Sequence, residues 1–211
     1  MSKQDTIAKK YTEFELLEGR MPHSVFEISK YAGIQEKTFY KYFNNLEATR
    51  KYILENLINK TLERLDEDEE YTNFSSNEKA LALLFTLFEE FMNQRSYLIF
   101  KYSSIKDVRH LAGDWDGFFR QFNARMEQII QEGKQTEEIV SRPLVGDYYA
   151  KSFKLVFLYA FRVWINDSSE KFQTTDAAIE KSVNLAFEFL GHSPLESILD
   201  FGKFAMKTKV G

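Results

Sequence analysis

The chain has 211 residues, 44% of them hydrophobic, with 28 Lys/Arg against 32 Asp/Glu and a formal charge of −4 at pH 7. That balance excludes a protein that coats nucleic acid or anionic membrane indiscriminately, so any electrostatic signal must be local. There are no cysteines, which excludes disulfides, thiolate chemistry and Cys-based zinc sites and suits a reducing cytoplasm.

Helices are expected throughout. Proline occurs only at Pro22, Pro143 and Pro194, no alternating β-branched run is present, and apolar residues recur at spacings of three and four. The first helix is predicted over about residues 5–18, with Ile7, Tyr11, Phe14 and Leu17 inward. Residues 24–46, SVFEISKYAGIQEKTFYKYFNNL, then read as helix, glycine corner, short aromatic helix and turn. Ser24 is a fitting N-cap, Phe26, Ile28 and Tyr31 give about two turns of helix, and Gly33 supplies a tight corner with Ile34 directed to the core. Residues 35–43 are expected to form the next helix, with Phe39 and Phe43 packing inward.

This segment resembles the N-terminal domain of the TetR family of transcriptional regulators. The resemblance rests on Gly19, Ser24, Ile28, Ser29, Ala32, Gly33, Ile34, Thr38, Phe39, Tyr40, Tyr42 and Phe43, about a dozen positions in register over roughly 25 residues. It implies an all-α fold with a DNA-reading helix-turn-helix head over 1–46 and a helical ligand-binding and dimerisation body over 47–211. It also implies that Thr38, Tyr40 and Tyr42 hold phosphates through hydroxyl groups, while Gln35, Glu36, Lys37 and Lys41 face base edges or backbone and Ser24 belongs to the same DNA-binding set. Leu46 stands where the family usually has a lysine, and Glu36 brings a carboxylate to the reading tip. Residues 1–50 hold eight Lys/Arg against seven acids, so the head is only faintly basic, and binding is expected to depend on dimerisation.

A fourth helix is predicted from near Asn45, carrying Tyr52, Ile53, Leu57, Leu62 and Leu65 and ending at the acidic run 66–70. The body reads as six further helices. Residues 77–94 carry Leu81, Leu84, Phe85, Phe88, Phe91 and Met92, and residues 96–106 carry Leu98, Ile99 and Tyr102. A helix opening at Asp107 or Asp114 and running to Glu132 carries Trp115, Phe118, Phe119, Phe122, Met126, Ile129 and Ile130. The helix over 144–166 has Tyr149, Phe153, Val156, Phe157, Ala160 and Trp164 on one side and Leu155, Leu158 and Ile165 on another, so it needs neighbours on most sides. With the helix over 176–190, it stands where the family pairs two helices per subunit. Leu155, Leu158, Ile165, Val183, Phe187 and Leu190 are the expected homodimer contacts, and a two-fold dimer suits a pseudo-palindromic double-stranded operator.

The 20 Phe and 11 Tyr are the second unusual feature. Phe85, Phe88, Trp115, Phe119, Phe122, Tyr149, Phe153 and Phe157 are candidates to line a pocket for an unidentified small apolar effector, and plain core packing accounts for them equally well. The reading is of a regulator, and a repressor by preference, with no cofactor. Catalysis finds no support in three histidines without a metalloprotease motif, phosphate-cradling loop or nucleophile elbow. His110 and Asp114, four apart, read as a solvent-facing coincidence and no metal is expected, while 114–117 reads as a turn and N-cap. The N-terminal stretch has no apolar core of signal-peptide length and the longest apolar runs are too short for a bilayer, so a cytoplasmic protein without stable membrane insertion is expected. The alternative is a lipid-binding or membrane-associated accessory protein of the same fold that has lost DNA reading. Its basis is the segment 195–209, which sets Leu195, Ile198, Leu199, Phe201, Phe204 and Ala205 against Lys203, Lys207 and Lys209.

Overall fold

A computed structural model describes residues 2–103, 113–140 and 149–190. Among these residues there are nine α-helices and no strand, so the all-α expectation is met. The helices are α1 (Lys3–Glu18), α2 (Val25–Tyr31), α3 (Glu36–Phe39), α4 (Leu46–Asp66), α5 (Ser76–Met92), α6 (Arg95–Tyr102), α7 (Asp116–Gln135), α8 (Tyr149–Asn166) and α9 (Gln173–Leu190). The chain packs as two compact units, one from residues 1–67 and 86–122 and the other from residues 68–85 and 123–211. The segment 195–209, His110 and the first residues of the helix expected over 144–166 lie outside the described residues.

In the first unit α1 starts earlier than its apolar pattern suggests, because Ser2 and Asp5 form a reciprocal capping box. Its inward face is Ile7, Ala8, Tyr11, Phe14 and Glu15, while Leu17, expected inward, is 74% exposed. The buried stripe runs through positions 7/8, 11 and 14/15, and its next step falls at 18 rather than 17. Glu15, not Leu17, completes the buried face, and Glu18 is exposed. At the other end, the Tyr52 hydroxyl of α4 donates to Asp5 Oδ1 at 2.7 Å.

The fourth helix starts near Asn45 as expected, and Asn45 caps it, accepting the Ala48 N–H at 2.7 Å. Its core face is Ile53, Leu54, Leu57, Ile58 and Leu65, with Thr61 buried and its hydroxyl returned to the Leu57 carbonyl. The aromatic heart of this unit is built ring on ring: Trp115 meets Phe118 edge-on at 4.9 Å and Tyr102 at 5.3 Å, and Phe118 stacks on Phe122 at 6.2 Å. The turn expected over 114–117 is present over 113–115, with α7 opening at Asp116.

In the second unit α5 buries Ala80, Leu83 and Leu84, and α7 buries Met126, Ile129 and Ile130. Farther along α5, in the first unit, Leu87, Phe88 and Phe91 are buried and Met92, placed on the inward stripe by the sequence, is exposed. Lys79 of α5 pairs with Glu132 of α7 at 2.8 Å. Helices α8 and α9 pack along each other as an antiparallel hairpin, since Phe153 near the start of α8 meets Phe187 near the end of α9 at 5.5 Å. Asp167 fastens the connection. Its two oxygens accept the N–H and hydroxyl of Ser169 and of Thr175 at 2.6–2.9 Å. Burial works against its charge, yet these four bonds hold the carboxyl down at about 2.

Candidate nucleic-acid interface

The approach to α2 is held by a charge pin. Arg20 donates to both oxygens of Glu27, at 2.7 and 3.3 Å, and the His23 N–H donates to the same carboxylate at 2.6 Å. The guanidinium lies 5.2 Å from the Phe14 ring centre, and Phe14 meets Tyr31 edge-on, so the α1–α2 corner is fixed by stacking as well as by charge. Arg20 and the His23 amide together hold the Glu27 carboxyl at about 2. Ser24 caps α2 as its sequence position suggests, accepting the Glu27 N–H at 3.2 Å.

Gly33 makes the corner between α2 and α3 at φ +67°, where the Ile34 N–H closes onto the Ser29 carbonyl at 3.0 Å. Ile34 is half-buried, and α3 is shorter than expected: residues 36–39 are α-helical, and residues 40–42 wind on as a turn. The Tyr42 N–H reaches back only three residues, to Phe39 at 2.9 Å, which tightens the backbone and brings Phe43 inward. The aromatic run therefore divides by direction. Phe39 and Phe43 are buried and touch at 5.7 Å, whereas Tyr40 and Tyr42 are 52% and 40% exposed.

Around these tyrosines Gln35, Glu36, Lys37 and Lys41 are exposed and Thr38 is half-buried. Lys37 and Lys41 make no ion pair among the described residues, while Lys10, Arg20 and Lys51 are neutralised by Glu13, Glu27 and Glu47. Glu36 stands in the first turn of α3, where a carboxylate suits the helix dipole, which is a structural reason for it apart from any base contact. Leu46 opens α4 half-buried.

Residues 79–205 match the sequence family described as tetracyclin repressor-like, C-terminal domain, a stretch longer than half of the chain. The chain belongs to the TetR family. Similar folds are found in Thermus thermophilus FadR, a TetR-family transcriptional repressor in complex with lauroyl-CoA (TM-score 0.60, 16% identity, 88% of this chain and 94% of that one). They are found also in the dihydroxyacetone kinase operon activator DhaS (0.57, 20%, 89% and 95%) and in a Shewanella sp. PV-4 protein assigned to the TetR regulators (0.59, 14%, 90% and 98%). At such identities the likeness is one of fold. No curated protein sequence matches the chain.

As a TetR-type body, the chain distributes the expected pocket residues between its two units. Phe88, Trp115, Phe119 and Phe122 belong to the first, where Trp115 and Phe119 pack ring to ring at 5.8 Å. Phe85, Tyr149, Phe153 and Phe157 belong to the second, where Phe85 is half-buried and the other three are buried. Other residues line two recesses of the first unit: about 160 Å³ beside Lys9, Thr12, Asn56 and Lys60, and about 550 Å³ in an open groove beside Phe14, Phe26 and Tyr31. Of the expected dimer contacts, Leu158, Val183 and Leu190 are buried within the chain, Ile165 and Phe187 are half-buried, and Leu155 is 69% exposed. Tyr159, Leu185 and Phe189 are exposed as well and were not singled out from the sequence. Their signal was available: Tyr159 follows Leu155 by four residues and Phe189 follows Leu185 by four, each pair on one helical face. Among the described residues no helix is long and apolar enough to cross a membrane, and no group of acidic or imidazole side chains is arranged to hold a metal ion.

Proposed function

We propose that this protein is a homodimeric DNA-binding transcription regulator, a repressor released by a small apolar effector. Residues 1–46 act as the reading head, and the remainder binds effector and partner. The observation that carries the reading is the divided aromatic run: Phe39 and Phe43 anchor the turn while Tyr40 and Tyr42 stand outward near Lys37 and Lys41, which make no ion pair among the described residues. Hydroxyl groups and ammonium groups on one short projecting segment suit phosphates, and exposed Gln35 and Glu36 suit base edges. Ser24 has its hydroxyl at the mouth of α2, where it both caps the helix and remains exposed. The faint charge of the head makes one copy a weak ligand for DNA, so two heads on a pseudo-palindromic site are required.

The effector has to favour the arrangement of heads that misfits the operator, and tenfold release needs about 1.4 kcal/mol of differential affinity. FadR is seen with lauroyl-CoA, and a fatty acyl thioester is therefore the first apolar probe to try. Such a regulator works in the cytoplasm, where its DNA is. The test is fluorescence anisotropy of the full-length protein on a duplex from upstream of its own gene, across a salt series. Tight binding with a steep salt slope, weakened by Tyr40→Phe and Lys41→Ala, is expected. Equal weak affinity for every duplex would contradict the reading.

A further inference from the structure

The recess of about 160 Å³ in the first unit is a groove between two helix faces, because its lining positions fall at i, i+3, i+4 and i+7 on α1 (5, 8, 9 and 12) and again on α4 (53, 56, 57 and 60). The end of α5 and the turn over 93–94 close a third side. Buried Ala8, Thr12, Ile53 and Leu57 form its floor, and Lys9 and Lys60 are exposed at its rim. None of the aromatic residues considered for the apolar effector lines it, so its chemistry is a separate matter.

Two carboxylates and two ammonium groups border the recess, and they differ in what they already hold. Asp5 accepts the Tyr52 hydroxyl on Oδ1 and the Ser2 N–H and hydroxyl on Oδ2. Burial opposes its charge, yet these bonds and the charge of Lys60 keep its carboxyl below the usual value. Glu90 accepts Arg64 on Oε1 at 2.9 Å and Asn93 on Oε2 at 3.2 Å. Every carboxylate oxygen in the recess is thus met by a protein donor. Lys9 and Lys60, by contrast, make no ion pair among the described residues, and the side-chain amides of Asn56 and Gln94 make no hydrogen bond there. What the recess leaves open is donors and positive charge. A cation would find two ammonium groups and no free carboxylate oxygen, whereas an anion rich in acceptors would find partners on α1, α4 and the 93–94 turn.

We propose that this recess binds a small dianion, a phosphate group or a short dicarboxylate, held by Lys9 and Lys60 and oriented by the amides of Asn56 and Gln94. Size limits the ligand: the volume corresponds to about five water molecules at roughly 30 Å³ each, which admits an anion of a few heavy atoms and no long acyl chain. Exposed ammonium groups are worth little singly, so the affinity is modest and depends on both lysines acting together. The site stands on the recess alone and does not depend on the DNA-reading function.

The test is NMR titration of the full-length protein at constant ionic strength, following the side-chain amide signals of Asn56 and Gln94, with inorganic phosphate in one arm and succinate in the other. Saturable shifts with a Kd of about 1 mM or tighter are expected in at least one arm, and the arm that saturates tells phosphate from dicarboxylate. Lys9→Gln with Lys60→Gln is expected to weaken that binding about tenfold or more, while Lys30→Gln with Lys171→Gln, an equal loss of charge at exposed lysines outside the recess, leaves it within about twofold. A duplex at the same phosphate concentration is expected to leave both amide signals in place. Failure of both anions to saturate near 1 mM, equal weakening in the two lysine pairs, or the same shifts with duplex would overturn the proposal.

Discussion

Glu27 has more to do than its position on a short polar helix suggests, because its carboxylate accepts from Arg20 and the His23 amide while its own N–H donates to the Ser24 hydroxyl. A carboxyl held at about 2 in the folded state keeps its charge where an unfolded carboxyl is already half protonated. Its contribution is therefore complete above the ordinary carboxylate range and disappears as pH falls through about 2. Carbon-detected NMR titration of the Glu27 side chain is expected to show a midpoint near 2 that moves up in Arg20→Ala, and an ordinary midpoint in the wild type would remove the pin. Phe39 offers a second test at this scale. Its ring is fully buried between Tyr40 and Phe43, so Phe39→Ala should cost about 3–5 kcal/mol in chemical denaturation. Tyr40→Phe, which removes an exposed hydroxyl, should change stability by less than about 0.5 kcal/mol and act on DNA affinity alone.

Helices were the most legible part of the sequence, since three-and-four spacing, with Ser24 as a cap for α2, located α2 and α4 closely. Where the reading strayed, a polar residue had taken an apolar task. Glu15 rather than Leu17 completes the inward face of α1, and no hydrophobic count can find a buried carboxylate whose partner is 86 residues away on α6. The shortened α3 was hidden for a different reason: Tyr40 and Tyr42 fit helix and turn equally well, and only the need to bury Phe43 tightens the backbone there. Two element junctions make specific predictions. Gly33 sits at φ +67° with open space where a Cβ would go, so Gly33→Ala should cost about 1 kcal/mol through backbone conformation alone. Asp167→Ala removes the acceptor of four hydrogen bonds at the α8–α9 connection and should cost about 2 kcal/mol, read as a lowered Tm.

At the level of the whole molecule, the proposed regulator needs a second copy, and the α8–α9 hairpin shows where to intervene. Leu155 and Leu185 are exposed on the chain, so Leu155→Glu with Leu185→Glu should leave the fold of one subunit intact while converting dimer to monomer in analytical ultracentrifugation. A change at Val183 would not separate the two effects, because that residue is fully buried within the chain. Apolar character on both sides of α8 does not say which side the chain itself covers, so the expected contacts include both the exposed Leu155 and the buried Leu158. The measurement that bears most directly on the outward tyrosine turn as a paired DNA probe is a hydroxyl-radical footprint of the full-length protein on the duplex upstream of its gene. Two protected backbone patches related by a dyad, with centres about one helical turn or a whole multiple of it apart and both lost in Lys37→Ala/Lys41→Ala, are predicted. Protection absent from every duplex tried, or unchanged when both lysines are removed, would contradict the account.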